Sequence, residues 1–187
     1  MKHSKVRQHI IETASNLFYR NGYNLTGINE IIREAGIAKA TLYNHFASKE
    51  DICLAYLQYK NEVFRNDIKD FVNEANNGEH RLYALFEFLN KFFDQKDFNG
   101  CWCLNTVAEL PHGNERIRNE IQTQKESFIQ FIKELVENNR NQNSDLENDR
   151  LAKKIYLLYE SAIAESKLHQ NKWPIETGLS LCKSLVA

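Results

Sequence analysis

The chain has 187 residues, 42% of them apolar and 26% charged, with a formal net charge of −1. Such a length holds one compact unit or two small domains and excludes a large multidomain enzyme. Only 7 glycines and 2 prolines occur, too few for a turn-rich β protein or a low-complexity chain, so the fold class expected is all-α.

No apolar run approaches the ~18 residues that span a bilayer, and Met1-Lys2-His3-Ser4-Lys5 leads into no signal-like stretch. A cytoplasmic protein without a membrane partner is expected. Its four cysteines, at 53, 101, 103 and 182, have no disulfide-framework spacing and are read as reduced thiols. Charge is uneven along the chain. Residues 1–50 hold 7 lysines and arginines against 4 acids, while the remainder holds 17 against 21. A small positive module on a mildly acidic body suits a nucleic-acid reader with a separate regulatory part.

In chain order, Val6, Ile10, Ile11, Ala14, Leu17 and Phe18 form one helical stripe over residues 5–21, stopped at Asn21-Gly22. Thr26 or Gly27 caps a short helix carrying Ile28, Ile31, Ile32 and Ala35, and Gly36 ends it. A second short helix covers about Lys39 to His45. Ser48-Lys49-Glu50-Asp51 reads as a cap with an acidic third residue, opening a long helix to about Ala75. Beyond the break at Asn76-Asn77-Gly78, helices are expected near 79–95, 100–110, 114–138, 147–169 and 174–186, with Asn138 to Ser144 an exposed loop.

Residues 22–52 carry the functional signal. Two helices of about two turns flank Gly36, with Ile28, Ile31, Ala35, Ile37 and Leu42 as their shared core. That arrangement leaves Lys39, Ala40, Thr41, Tyr43, Asn44 and His45 exposed on the second helix, an acid-free row of donors and aromatic tips fit for a major groove. The run Thr26-Gly27-Ile28, Ile31, Ala35-Gly36-Ile37, Lys39-Ala40-Thr41-Leu42-Tyr43-Asn44-His45-Phe46, Ser48-Lys49-Glu50 closely resembles the amino-terminal signature of the TetR family of bacterial transcriptional regulators. Gly27 stands where that signature usually has Ser or Thr, and Ile32 where it has a small Ala. The first departure removes one possible phosphate contact, and the second alters packing between the two short helices.

The resemblance implies a helix-turn-helix DNA-binding domain over 1–48 and a helical ligand-binding and dimerisation domain over 49–187. It implies that Tyr43, His45 and Lys49 hold phosphates, that Thr41 and Lys39 lie at the groove, and that Ala40 and Asn44 approach base edges, with Thr26 belonging to the same DNA-binding set. It further implies a homodimer formed through residues 147–186, whose two recognition helices read a palindromic operator in double-stranded DNA.

The body is dense in aromatics. Phe86, Phe92, Trp102, Phe128, Tyr156 and Tyr159 at helical spacing form core or, collectively, line a cavity for a small-molecule effector, with Asn105 and Glu109 as polar groups. Asn99-Gly100-Cys101-Trp102-Cys103 is the most unusual stretch. If Asn99 caps a helix, Cys101 falls in its first turn, where the helix dipole lowers a thiol's pKa. Cys101 is then either a buried structural thiol or a sensor open to an electrophile or oxidant. Cys101 and Cys103 point to different sides of a helix, and no histidine pair completes a metal set.

Two functions follow. The first is a ligand-responsive repressor, released from its operator by population shift, needing no cofactor, metal or catalysis. The second is a small cytosolic thiol-dependent redox enzyme, which lacks a Gly-rich nucleotide loop, a Cys-x-x-Cys pair and a nucleophile elbow.

Overall fold

The computed structural model describes residues 2–76, 78–111, 113–139 and 144–186, and among them there is no strand. The helices are α1 (Lys2–Asn21), α2 (Ile28–Glu34), α3 (Lys39–Tyr43), α4 (Lys49–Glu74), α5 (Glu79–Phe93), α6 (Trp102–Glu109), α7 (Glu115–Asn139), α8 (Asp145–His169) and α9 (Trp173–Val186).

Most starts and stops have a local cause. Ser48 caps α4: its Oγ accepts from the Asp51 N–H at 3.1 Å and donates to the Asp51 carboxylate at 2.8 Å. That hydroxyl and then Arg116 hold the Asp51 carboxyl below its usual range. Ser144 caps α8 through a reciprocal capping box with Glu147, which starts the helix two residues before the apolar pattern does. Residues 140–143 of the expected loop lie outside the described residues. The start of α6 is displaced as well. Gly100 has φ +74, so no helix runs through it, and α6 begins at Trp102 with Cys101 ahead of the first turn.

The residues group into two compact units, one of Met1–Val63 with Trp102–Gln122 and one of Phe64–Cys101 with Thr123–Ala187. The sequence-based boundary at 48/49 falls inside the first. In that unit α1 packs on α2 and α2 on α3, around the buried side chains of Ile10, Ala14, Phe18, Ile31, Leu42 and Tyr56. Ile28 and Ile37 are only half-buried. The rings of Phe18 and Tyr56 meet at 5.5 Å. Arg116 ties α7 to the head of α4, donating to Glu50 at 2.7 Å and Asp51 at 3.0 Å.

In the second unit α8 packs on α9, and α5 packs on both. Gly178 lies inside α9, where glycine costs about 1 kcal/mol relative to alanine. Its reason is space: a Cβ there would sit 2.8 Å from Cε1 of Phe86 and 3.4 Å from the Ala162 methyl. Phe86 is fully buried and its ring is braced edge-on against Tyr159 at 5.8 Å, so it has little room to yield. Gly178→Ala is therefore expected to destabilise the fold by roughly 1–3 kcal/mol, seen as a thermal midpoint lower by about 3–10 °C. An unchanged midpoint would mean that the α5–α9 packing is looser than these distances show.

Candidate nucleic-acid interface and effector site

The turn between α2 and α3 is made by Gly36 at φ +62, a left-handed conformation that other residues rarely adopt. Its N–H donates to the Arg33 carbonyl at 3.1 Å, and that of Ile37 to Ile32 at 3.2 Å, closing α2 before the chain swings into α3. Leu42 is the buried member of α3. Around it, Lys39, Ala40, Tyr43 and Asn44 are exposed, while Thr41 and His45 are half-buried. The Lys39 ammonium stands 6.0 Å from the centre of the Tyr43 ring. The result is one short helix face carrying a cation, a phenol and an amide with no carboxylate, a set of donors for phosphate oxygens and base edges.

Two further residues of the expected DNA-binding set, outside this face, have other partners. Thr26 is fully buried and its hydroxyl donates to the Gly22 carbonyl at 2.8 Å, so it presents no hydroxyl to DNA and instead fixes the turn before α2. The N-cap of α2 is Gly27, with no side-chain cap bond. Lys49 is half-buried; its ammonium donates to the Asn24 carbonyl at 3.4 Å and lies 4.4 Å over the Tyr23 ring. Burial holds its pKa below the usual lysine range.

In the second unit the structure brings five of the expected effector residues to one cluster. Phe128 meets Tyr156 at 6.3 Å and Tyr159 at 5.2 Å, and Phe86 meets Tyr159. Phe64 links this set to Phe92, at 5.6 Å from Phe128 and 6.4 Å from Phe92. Beside the rings lies a polar group centred on Lys125, whose ammonium donates to Cys101 Sγ at 3.1 Å and to Glu160 Oε1 at 2.6 Å. Burial, and next the Cys101 sulfur, push the Glu160 carboxyl up to about 7. Burial likewise pushes the Tyr159 phenol well above its ordinary value. Glu160 Oε2 and Tyr159 OH are buried without a hydrogen-bond partner, an unusual state for polar atoms in a protein interior.

Lys125 is the member that sequence reasoning missed. In Gln122-Thr123-Gln124-Lys125-Glu126 it reads as a solvated face, and no local signal distinguishes it. Trp102, Asn105 and Glu109 lie on α6 in the first unit, where Lys60 is held between Tyr19 at 4.4 Å and Trp102 at 5.7 Å. Of the other thiols, burial pushes Cys53 and Cys182 up to about 12, which makes them poor nucleophiles.

On α8 and α9, Leu157, Leu168, Trp173 and Leu181 are exposed, and Trp173 and Leu181, with Leu158, Ala162, Glu165 and Gly178, line a depression of about 130 Å³. Among the described residues no helix is long and apolar enough to cross a membrane.

Known proteins resemble this chain in sequence and in fold. The family model described as bacterial regulatory proteins, tetR family, matches residues 10–56, which run from the middle of α1 to the first turns of α4. A second, described as the tetracyclin repressor-like C-terminal domain, matches residues 78–180, more than half of the chain. The HTH-type transcriptional repressor NemR of Escherichia coli strain K12 is 24% identical over 194 residues, spanning 100% of this chain and 97% of the relative. The HTH-type transcriptional repressor DhaR of Mycobacterium sp. strain GP1 is 25% identical over 184 residues, spanning 97% and 92%. Among solved structures, SCO4454, a TetR-family transcriptional regulator from Streptomyces coelicolor, has a TM-score of 0.88 at 25% identity over 98% of this chain and 95% of that one. The reduced form of E. coli NemR shares the fold, with a TM-score of 0.88 at 22% identity over 98% and 97% of the two chains. These relatives are regulators, not enzymes.

Proposed function

The chain belongs to the TetR family of bacterial regulatory proteins, and from that premise we propose that it is a ligand-responsive repressor. It works in the cytoplasm, binding a palindromic operator as a homodimer and leaving it when a small-molecule effector binds. The observation that carries this reading is the coincidence of the family match at residues 10–56 with the exposed, acid-free face of α3. On that face Lys39, Thr41, Tyr43 and His45 hold the backbone and the groove edge, and Ala40 and Asn44 meet base edges.

A helix as short as α3 grips too few bases alone. A twofold dimer sets two such helices roughly 34–36 Å apart, one DNA turn. The exposed leucines and Trp173 of α8 and α9 supply the apolar surface that a self-complementary interface needs. An effector that favours a conformation with the wrong spacing, with a coupling of about 1–3 kcal/mol, weakens operator binding roughly 5- to 150-fold.

The aromatic cluster of Phe86, Phe128, Tyr156 and Tyr159 receives the effector. Its polar members also favour a particular trigger, an electrophile or oxidant acting at Cys101. What supports this is that the buried Cys101 sulfur accepts from the Lys125 ammonium at 3.1 Å, a contact that modification of the sulfur would break.

The test is binding of the purified protein to DNA upstream of its own gene, across a salt series with random DNA as competitor. Saturable binding of one dimer to one palindrome is expected, and affinity equal to that for random DNA at every candidate site would overturn the repressor reading. Treatment with N-ethylmaleimide is expected to release the wild type from its operator and to spare Cys101→Ser. Equal release of both would remove Cys101 as the trigger.

A further inference from the structure

We propose that Glu109 is a positioning residue for operator binding: from the end of α6 its carboxylate clamps the turn that leads into α2 and so sets where the two short DNA-reading helices begin. The sequence pattern groups Glu109 with the effector residues, but its hydrogen-bond partner is Asn24, in the turn.

The contact is reciprocal across 85 positions of chain. The Asn24 N–H donates to Glu109 Oε2 at 2.7 Å, and the Asn24 side-chain amide donates to the Glu109 main-chain carbonyl at 2.9 Å. The carboxylate lies close against Gly22, which turns the chain at φ +89, and a Cβ there would overlap Glu109 Oε1. Lys49 closes the other side of the same residue by donating to the Asn24 carbonyl. Both main-chain polar groups of Asn24 are thus held from outside the turn, one by a carboxylate and one by an ammonium. Thr26 then carries the constraint forward by its bond back to the Gly22 carbonyl.

This clamp matters because the helices it leads into hold themselves weakly. α2 has seven residues and no side-chain cap, and α3 has five, with Leu42 as its buried member. Helices of that length are marginal in isolation, so their placement comes from outside. A carboxylate accepting a backbone N–H is among the stronger single bonds available for that purpose.

The inference rests on the reading that α2 and α3 meet DNA, and the experiment separates the two. Operator affinity of full-length wild type, Glu109→Ala and Glu109→Gln is measured over a salt series, together with amide hydrogen exchange of residues 22–27 in the absence of DNA. Glu109→Ala is expected to bind about 10-fold more weakly or worse, with an unchanged slope of log K against log salt, because no phosphate-bound cation is lost. Exchange at Asn24 should rise, and Glu109→Gln should recover most of both effects, since an amide oxygen still accepts from the N–H.

Several results overturn the proposal: equal affinity and equal exchange in wild type and Glu109→Ala, tighter binding by Glu109→Ala, or a change confined to effector response. Should Glu109→Ala fail to fold, Asn24→Ala removes only the reciprocal amide and is expected to give a smaller loss of the same kind, with no loss counting against the clamp. Failure of the wild type to bind any DNA would sink the repressor reading, while the exchange measurement would still decide whether Glu109 holds the turn.

Discussion

Leu42→Ala is expected to abolish specific operator binding, raising Kd more than about 100-fold, while leaving most of the helical signal in circular dichroism intact. Leu42 is fully buried and is the buried residue of the five-residue α3. Truncating a buried leucine costs about 2–5 kcal/mol, here concentrated on a helix with too few residues to hold its own hydrogen bonds. Loss of that anchor frees α3 from α2 without dismantling the long helices, so the damage falls on reading DNA more than on folding. Fluorescence anisotropy with operator DNA, paired with a thermal melt, checks both halves of the expectation. Operator binding within about threefold of wild type would mean that something other than Leu42 seats the recognition helix.

The second large effect separates charge from shape on the exposed face of α3. Lys39→Ala removes one cation from each protomer, two from a dimer, so the slope of log K against log salt should flatten by roughly 2. Tyr43→Ala removes a neutral donor and should weaken binding about 10- to 100-fold with the slope unchanged. Since the Lys39 ammonium stands 6.0 Å from the Tyr43 ring, the double variant is expected to lose less than the two losses combined. A slope change for Tyr43→Ala equal to that of Lys39→Ala would mean that the phenol acts only by holding the lysine.

What the sequence disclosed depended on how far apart the interacting residues lie. The α1 stripe, the turn at Gly36 and the Ser48 cap are written within windows of a few residues, and each has a local chemical signature that survives without knowledge of the fold. Thr26 misled because a threonine just before a short helix looks like a surface cap, whereas its hydroxyl turns inward to the Gly22 carbonyl. The dihedral of Gly100 moved the start of α6 past Cys101, which propensity alone does not reveal. Lys125 and Glu109 were illegible in their roles for another reason: their partners lie 24, 35 and 85 positions away, and a charged residue on a helix carries no mark of what it will meet.

The first compact unit is built from two separated stretches of chain, residues 1–63 and 102–122. That discontinuity limits how DNA specificity can be moved between regulators. A hybrid gene that exchanges only the leading codons would set a donor's turn and α4 against a recipient's α6 and α7, losing the matches of Asn24 with Glu109 and of Glu50 and Asp51 with Arg116. A working chimera must splice in both stretches together, so the transferable cassette has three junctions where a contiguous domain would have one.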